Sequence, residues 1–292
     1  MNQRMTRRTA LRSMAGSAAI LGTASMVTPI AATAEDAPAK LKGNIHHSVS
    51  QWCYGKISLD DLCIAAKQMG IEAIDLLSAD QWPTVKKHGL VCSMCNGPDQ
   101  IGYGFNRVEH HDKLVEGYEK MIPQVASFGF PNIICFSGVR AGMDDEKGAA
   151  NCVTGLKRVM SIAEKYKVNV VMELLNSKVD HHDYMNDHTA WGAEVVKKVG
   201  SERFKLLYDI YHMQIMEGDM IRTIQTYHQY IGHYHTGGVP GRNEIDETQE
   251  IYYPAVMRAI VATGFKGYVG QEFVPSKDPL TSLRKAIQIC DV

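Results

Sequence analysis

From Lys42 to the C-terminus, short runs of apolar, largely β-branched residues alternate with longer stretches whose apolar positions recur every three or four residues. The short runs are Asn44–Ser50, Ala73–Leu76, Leu90–Cys95, Asn132–Phe136, Asn169–Glu173, Phe204–Asp209, Ile231–His235 and Gly267–Glu272. Their length and lack of helical period predict buried strands. Between them the pattern predicts helices over Ser58–Met69, His111–Phe128, Lys147–Tyr166, Thr189–Val199, Asp219–Gln229 and Tyr252–Thr263, with Leu280–Ile289 closing the chain. Ser58 and Asp61 have capping-box spacing. The weakest unit lies between Ala79 and His88, where Pro83 leaves room only for a short helix. Strand and helix in strict alternation predict a parallel sheet with crossover helices. Eight repeats, with no Gly-rich phosphate turn after the first strand, favour a closed (β/α)8 TIM barrel over an open doubly wound sheet.

The first 34 residues stand outside this rhythm. Arg7-Arg8 lies in a basic segment, Met14 to Ile30 is mildly apolar and rich in small residues, and Ala32-Thr33-Ala34 precedes Glu35. That layout predicts a cleavable twin-arginine export signal over 1–34 and a single catalytic barrel domain over 35–292, acting in the periplasm or otherwise exported. The apolar stretch is short for a bilayer span, which disfavours a retained anchor. Cleavage would leave 258 of 292 residues, close to the ~250 of one barrel.

Composition narrows the function. With 31 basic and 32 acidic residues there is no electrostatic footprint for nucleic acid. The expected partners are a small-molecule substrate and the export machinery, and the pattern is compatible with a homo-oligomer. Seven cysteines show no disulfide framework. Cys92-Ser93-Met94-Cys95 has redox spacing but lies in a strand, where residues three apart face opposite ways, so core packing is expected.

Candidate chemistry gathers at strand ends, where barrels place their functional side chains. The fifth to eighth strands end on Glu173, Asp209, His235 and Glu272. Singly, each could be a solvated or hydrogen-bonded side chain. Three carboxylates converging in one mouth repel one another unless a cation compensates, so together they predict a site for one divalent metal. Oxygen-rich ligation with one nitrogen suits Mn2+ or Mg2+, with Co2+ or Zn2+ acceptable. Arg242 could grip a substrate carboxylate or hydroxyls, with Glu244 orienting it. Lys178 is a second anion-binding candidate, and Trp52 and the Gly-rich loop from Asn96 to Gly104 could wall the pocket.

The stretches Val171-Met172-Glu173-Leu174-Leu175-Asn176, Tyr208-Asp209-Ile210-Tyr211-His212, Gly232-His233-Tyr234-His235-Thr236, Pro240-Gly241-Arg242-Asn243-Glu244 and Gly270-Gln271-Glu272-Phe273 resemble the xylose-isomerase-like barrels, and within them the hydroxypyruvate isomerases. The resemblance implies that a 2-hydroxycarbonyl compound or sugar chelates the metal and passes through an enediolate. Glu173 and Glu272 would be both ligands and proton-transfer bases. His212 would match a substrate-binding histidine near the metal. The hydroxypyruvate isomerases so implied carry glutamine where this chain has His235, whereas ketose epimerases carry histidine. A metal-dependent isomerase is therefore expected. A ketose epimerase, or a keto-sugar or keto-inositol dehydratase on the same site, is the alternative, and a non-catalytic sugar-binding protein is the rival from another class. A multi-zinc DNA repair endonuclease is disfavoured: its aspartate–X–histidine pair would fall near Thr248-Gln249-Glu250.

Overall fold

The computed structural model describes residues 40–292. The expected export signal lies outside the described residues. Eight parallel strands close into a barrel in chain order, β1-β2-β3-β4-β5-β6-β7-β8. They are β1 His46–Ser50, β2 Ala73–Leu77, β3 Val91–Cys95, β4 Asn132–Cys135, β5 Asn169–Glu173, β6 Phe204–Asp209, β7 Ile231–Thr236 and β8 Tyr268–Gln271. Each forecast strand is present: β5 and β6 keep their expected bounds, and the others are trimmed or extended by one or two residues. The helices are α1 Leu59–Gln68, α2 Trp82–Lys87, α3 His111–Ser127, α4 Asp145–Tyr166, α5 Thr189–Val199, α6 Ile210–Met216, α7 Met220–Tyr227, α8 Tyr253–Ala262 and α9 Pro279–Cys290. Among the described residues, no helix is long and apolar enough to cross a membrane.

The period of two along each strand sorts side chains into two cores. Val170, Met172, Leu206, Tyr208, Tyr234 and Val269 point outward and join the layer between sheet and helices. Met94, Ile134, Val171 and Leu207 form a separate cluster inside the barrel. Helices supply the outer layer through the expected stripe; in α3 the buried positions include Leu114, Val115, Tyr118, Ile122 and Val125. At roughly 25 cal/mol per Å2 of apolar surface removed from water, these two layers dominate the stabilisation of the fold.

Two local departures matter. Helix α6, which the sequence pattern does not announce, starts directly at the end of β6, with Asp209 as its N-cap: the Asp209 carboxylate accepts from the His212 backbone N–H at 3.2 Å. In β3 the register against β2 shifts twice, between Ile74 and Asp75 and between Asp75 and Leu77. That irregularity corrects the expectation that Cys92 and Cys95 face apart: their sulfurs lie 3.6 Å from each other, both buried in the outer core. A bulge adds a residue and turns the following side chain to the other face.

Candidate metal centre

Inward parity continues past the barrel's apolar plug. Two residues beyond Val171, Leu207, His233 and Gly270 stand Glu173, Asp209, His235 and Glu272. All four are buried, and one donor atom from each lies within 4.8 Å of the others. Sequence order thus becomes a contiguous arc, β5 to β8, around the barrel mouth.

Beneath the arc sits a carboxylate that sequence reading missed. Asp75, in the middle of β2, is fully buried and accepts from His233 Nε2 at 2.7 Å, His235 Nε2 at 3.2 Å, Ser48 Oγ at 3.0 Å and the Ser93 hydroxyl. Its available signal was an acid inside an apolar strand, Ala73-Ile74-Asp75-Leu76-Leu77. Space for it comes from Gly270: a Cβ there would lie 2.4 Å from Asp75 Oδ2 and 2.8 Å from the His235 ring. With Nε2 committed to Asp75, His235 turns Nδ1 upward into the mouth. Nδ1 is 2.6 Å from Glu272 Oε2 and 3.5 Å from Glu173 Oε1, yet it is buried without hydrogen-bond geometry to any partner. A buried, unpartnered imidazole nitrogen amid three carboxylates, oriented from behind by a fourth, is the carboxylate–histidine arrangement that divalent cations use. The donor set therefore fits the expected metal.

Without a cation the same groups disturb one another. Burial raises the carboxyls of Glu173 and Asp209, the latter to about 7. Burial works the same way on Glu272, but His235 and Arg242 outweigh it and hold that carboxyl well below its ordinary range. His235 would be depressed by burial but is pulled well above its ordinary value by Glu272, with Asp75 and Glu173 adding to it. One strongly coupled cluster thus trades protons among its members, and a +2 ion would relieve it.

Arg242 reaches this cluster from the loop after β7. Its guanidinium donates to Glu272 Oε2 at 2.7 Å and Asp209 Oδ2 at 3.0 Å. It lies between the rings of Trp52 and Tyr211, 5.4 Å and 5.2 Å from their centroids. These cation–π contacts hold the planar group in register. The backbone of Arg242 is left-handed, φ +56°, a conformation costing of order 1 kcal/mol or more in a non-glycine residue. Trp52, in the 3-10 turn after β1, is 46% exposed, and its indole N–H donates to Glu272 Oε1 at 2.7 Å. His212, fully buried, lies 3.6 Å from Asp209 Oδ2 and 3.1 Å from an Arg242 nitrogen.

Two expected site residues stand elsewhere. Glu244 does not touch Arg242: its carboxylate accepts from Ser276 N and Oγ, Lys277 N and Ser282 Oγ, all within 2.9 Å, and so ties the β8–α9 loop to the β7 loop. Lys178 bonds the carbonyls of Ile215 and Met216 at 3.1 and 3.0 Å, because the C-terminus of α6 leaves carbonyls without helical partners. The structure instead adds Tyr211, Asn176, and His181, whose ring centroid is 5.3 Å from that of His212. The Gly-rich loop after β3 packs against the barrel: a Cβ on Gly104 would lie 2.4 Å from backbone atoms of Phe136, Ser137 and Gly138.

Comparison with known proteins places this geometry. Residues 63–291 match the model of the xylose isomerase-like TIM barrel family. The chain is 30% identical over 177 residues to a hydroxypyruvate isomerase of Escherichia coli, covering 59% of this chain and 67% of that one. It is 25% identical over 268 residues to a Homo sapiens protein provisionally named a hydroxypyruvate isomerase, covering 85% and 94%. The structure of a family 2 AP endonuclease from Brucella melitensis superposes with a TM-score of 0.72 at 20% identity, over 82% of this chain and 97% of the other; that likeness is one of fold. The chain belongs to the xylose isomerase-like TIM barrel family, and its sequence likeness within that family runs to the hydroxypyruvate isomerases.

Proposed function

We propose that this member of the xylose isomerase-like TIM barrel family is a divalent-metal-dependent isomerase of the hydroxypyruvate isomerase type, acting on a small 2-hydroxycarbonyl compound or sugar. The observation that carries the reading is the pair Glu173 and Glu272. Both are buried, and they approach His235 Nδ1 from strands on opposite sides of it in the arc. Held by Glu173, Asp209, His235 and Glu272, a cation such as Mn2+ or Mg2+ would polarise the substrate carbonyl and acidify the neighbouring C–H. One glutamate takes that proton and the other returns it to the adjacent carbon, which interconverts the hydroxyl and carbonyl positions. Arg242 lies against Asp209 and Glu272, and His212 beside Asp209; both supply donors for substrate oxygens, while Trp52 covers one side of the mouth.

A second reading, ketose epimerisation, is favoured by His235, the ligand that the sequence resemblance associates with epimerases. There the proton would return to the same carbon from the opposite face. A keto-sugar dehydratase shares the first proton abstraction and then expels a β-hydroxyl. Incubation with candidate substrates and Mn2+ in deuterated buffer separates the three. Isomerisation labels the carbon that gains hydrogen, epimerisation labels the inverted carbon, and dehydration yields an enone absorbance. Glu173→Gln and Glu272→Gln should each lower turnover by about 100- to 10,000-fold, the usual value of a positioned acid or base. Full activity in either variant would refute the two-glutamate reading. The twin-arginine pattern further supports work after export.

A further inference from the structure

Asn176, three residues past Glu173 on the β5–α5 loop, carries no role in the reading above, yet its side chain is fully buried and every polar contact it makes is resolved. Its Oδ1 accepts from the backbone N–H groups of Val179 at 3.0 Å and Asp180 at 2.9 Å. Backbone N–H groups can only donate, so the amide cannot be turned end for end without breaking both bonds. Nδ2 is therefore committed as a donor. One hydrogen goes to Asp180 Oδ2 at 2.6 Å, and the other faces His212 Nδ1 at 2.7 Å. Asp180 is itself steadied by the Tyr211 hydroxyl at 2.8 Å.

This bears on which nitrogen of His212 carries the proton. Nδ1 must offer a lone pair to Asn176, and a neutral imidazole then bears its single hydrogen on Nε2. Nε2 is the atom that faces the metal ligands, 3.6 Å from Asp209 Oδ2. Its near neighbour is an Arg242 nitrogen at 3.1 Å, and a guanidinium has donors only. Both nitrogens of the ring thus face N–H groups, and a neutral ring can accept at just one of them. The Asn176 contact is fixed by backbone at two points, whereas Arg242 sits on a long side chain and its other nitrogen already binds Asp209 and Glu272. The arginine contact is the one that gives way.

We propose that Asn176 is a positioning residue that fixes His212 as an Nε2–H donor, aimed at a substrate oxygen that gains negative charge as the enediolate forms. The inference rests on the enediolate reading for the identity of that oxygen, and on geometry alone for the tautomer. A donor preset in this way needs no reorientation when charge develops, which is where hydrogen bonds contribute most to rate. It also makes the recognised group an acceptor, a carbonyl or enolate oxygen, and disfavours a hydroxyl that must itself donate there.

Histidine-selective 15N labelling of the full-length protein, with His212 assigned by its loss in His212→Gln, reads the tautomer directly. Wild type should show a protonated Nε2 and an unprotonated Nδ1 at neutral pH. Asn176→Asp keeps an acceptor for the two backbone N–H groups but turns the atom facing Nδ1 into an acceptor. It should move the ring proton to Nδ1, or charge the ring. With it, kcat should fall on the order of 100-fold, as for loss of one preset donor, while KM and Mn2+ affinity stay near wild type. An Nδ1–H tautomer in wild type overturns the inference, and that spectrum decides the matter even if the variant fails to fold. A tautomer unchanged in Asn176→Asp overturns it as well. Nε2–H in wild type, without exchange of any substrate C–H with solvent, would overturn the enediolate reading and its receiving oxygen, a failure distinct from that of the tautomer.

Discussion

Replacing Asp75 by asparagine isolates the contribution of one buried charge to the proposed metal site. The substitution preserves volume, and the surroundings dictate how the amide sits. Asp75 Oδ2 receives His233, His235 and Ser48, so the amide oxygen must stay there. The amide nitrogen then takes the place of Oδ1 beside Ser93, whose hydroxyl can rotate from donor to acceptor. Every hydrogen bond survives in kind, and what disappears is the negative charge. The His235 Nε2–H bond changes from charge-assisted to neutral, about half as strong, and Nδ1 becomes a poorer ligand. Losing such a carboxylate behind a metal-bound histidine typically weakens metal affinity by about 10–100-fold, or roughly 1.4–2.8 kcal/mol. Calorimetric titration of chelator-stripped protein with Mn2+ measures it, with a thermal melt of each protein to verify folding. Asp75→Ala is the wrong experiment, because two buried imidazoles and two hydroxyls would lose their acceptor at once, at a cost of about 3–5 kcal/mol. Folded Asp75→Asn that binds Mn2+ as tightly as wild type would refute the view that Asp75 tunes His235.

Arg242→Ala should push two readouts in opposite directions: Mn2+ binds roughly tenfold tighter, since a charged hydrogen-bonding competitor worth about 1.5–3 kcal/mol is gone from Asp209 and Glu272, while KM rises. Tightening of both would remove Arg242 from substrate binding. Burial pushes the Asp99 carboxyl up to about 7, only partly countered by the Phe136 N–H and the Tyr118 hydroxyl. Native protein then holds a proton that the unfolded chain, titrating near ~3.9, has lost, so stability falls as pH rises between about 4 and 7. Asp99→Asn should match wild type in melts below that window and exceed it above; equal melting temperatures at pH 8 would contradict the assignment. Gly104→Ala should destabilise by at least ~1–3 kcal/mol, because its Cβ meets backbone that cannot step aside, and denaturant midpoints report it. If the Arg7-Arg8 pair directs export, Arg7→Lys with Arg8→Lys should retain the protein in the cytoplasm on fractionation; unchanged export would exclude the twin-arginine route.

The strands and the four candidate ligands were legible because they obey simple periods. Glu173, Asp209 and His235 each lie on the inward parity of a strand that ends in water, and Glu272 continues that parity one residue beyond β8, a pattern that needs no long-range information. Arg242 and Trp52 were placed near the site by their position after strand ends, and His212 by the family resemblance. What parity cannot supply is partnership. Glu244 lies two residues beyond Arg242, but its carboxylate finds four donors near α9, and nothing local announces that loop crossing. Lys178 is drawn away by the carbonyl end of α6, a helix hidden in the sequence because only seven residues form it. Asp75 was passed over because an acid inside an apolar strand looks like an interruption until the glycine and histidines around it are seen together. The Cys92–Cys95 approach depends on a bulge, and a period of two cannot foresee where it slips.

The ligand arc has an evolutionary consequence. All four candidate ligand positions come from β5–β7 and the residue just after β8, and among the described residues Asp75, from the opposite half of the barrel, joins His233 and His235 beneath them. Loops after β1–β4 carry pocket walls such as Trp52 without supplying any of the four candidate ligands. Gene segments for the two halves can therefore drift under different constraints: the C-terminal half keeps one reaction, while insertions and substitutions in the N-terminal half re-cut the space above it for other substrates. A chimera joining this chain's β5–β8 half to the β1–β4 half of another family member is the natural unit of exchange, provided Asp75 and the Gly270 notch that receives it travel as a pair.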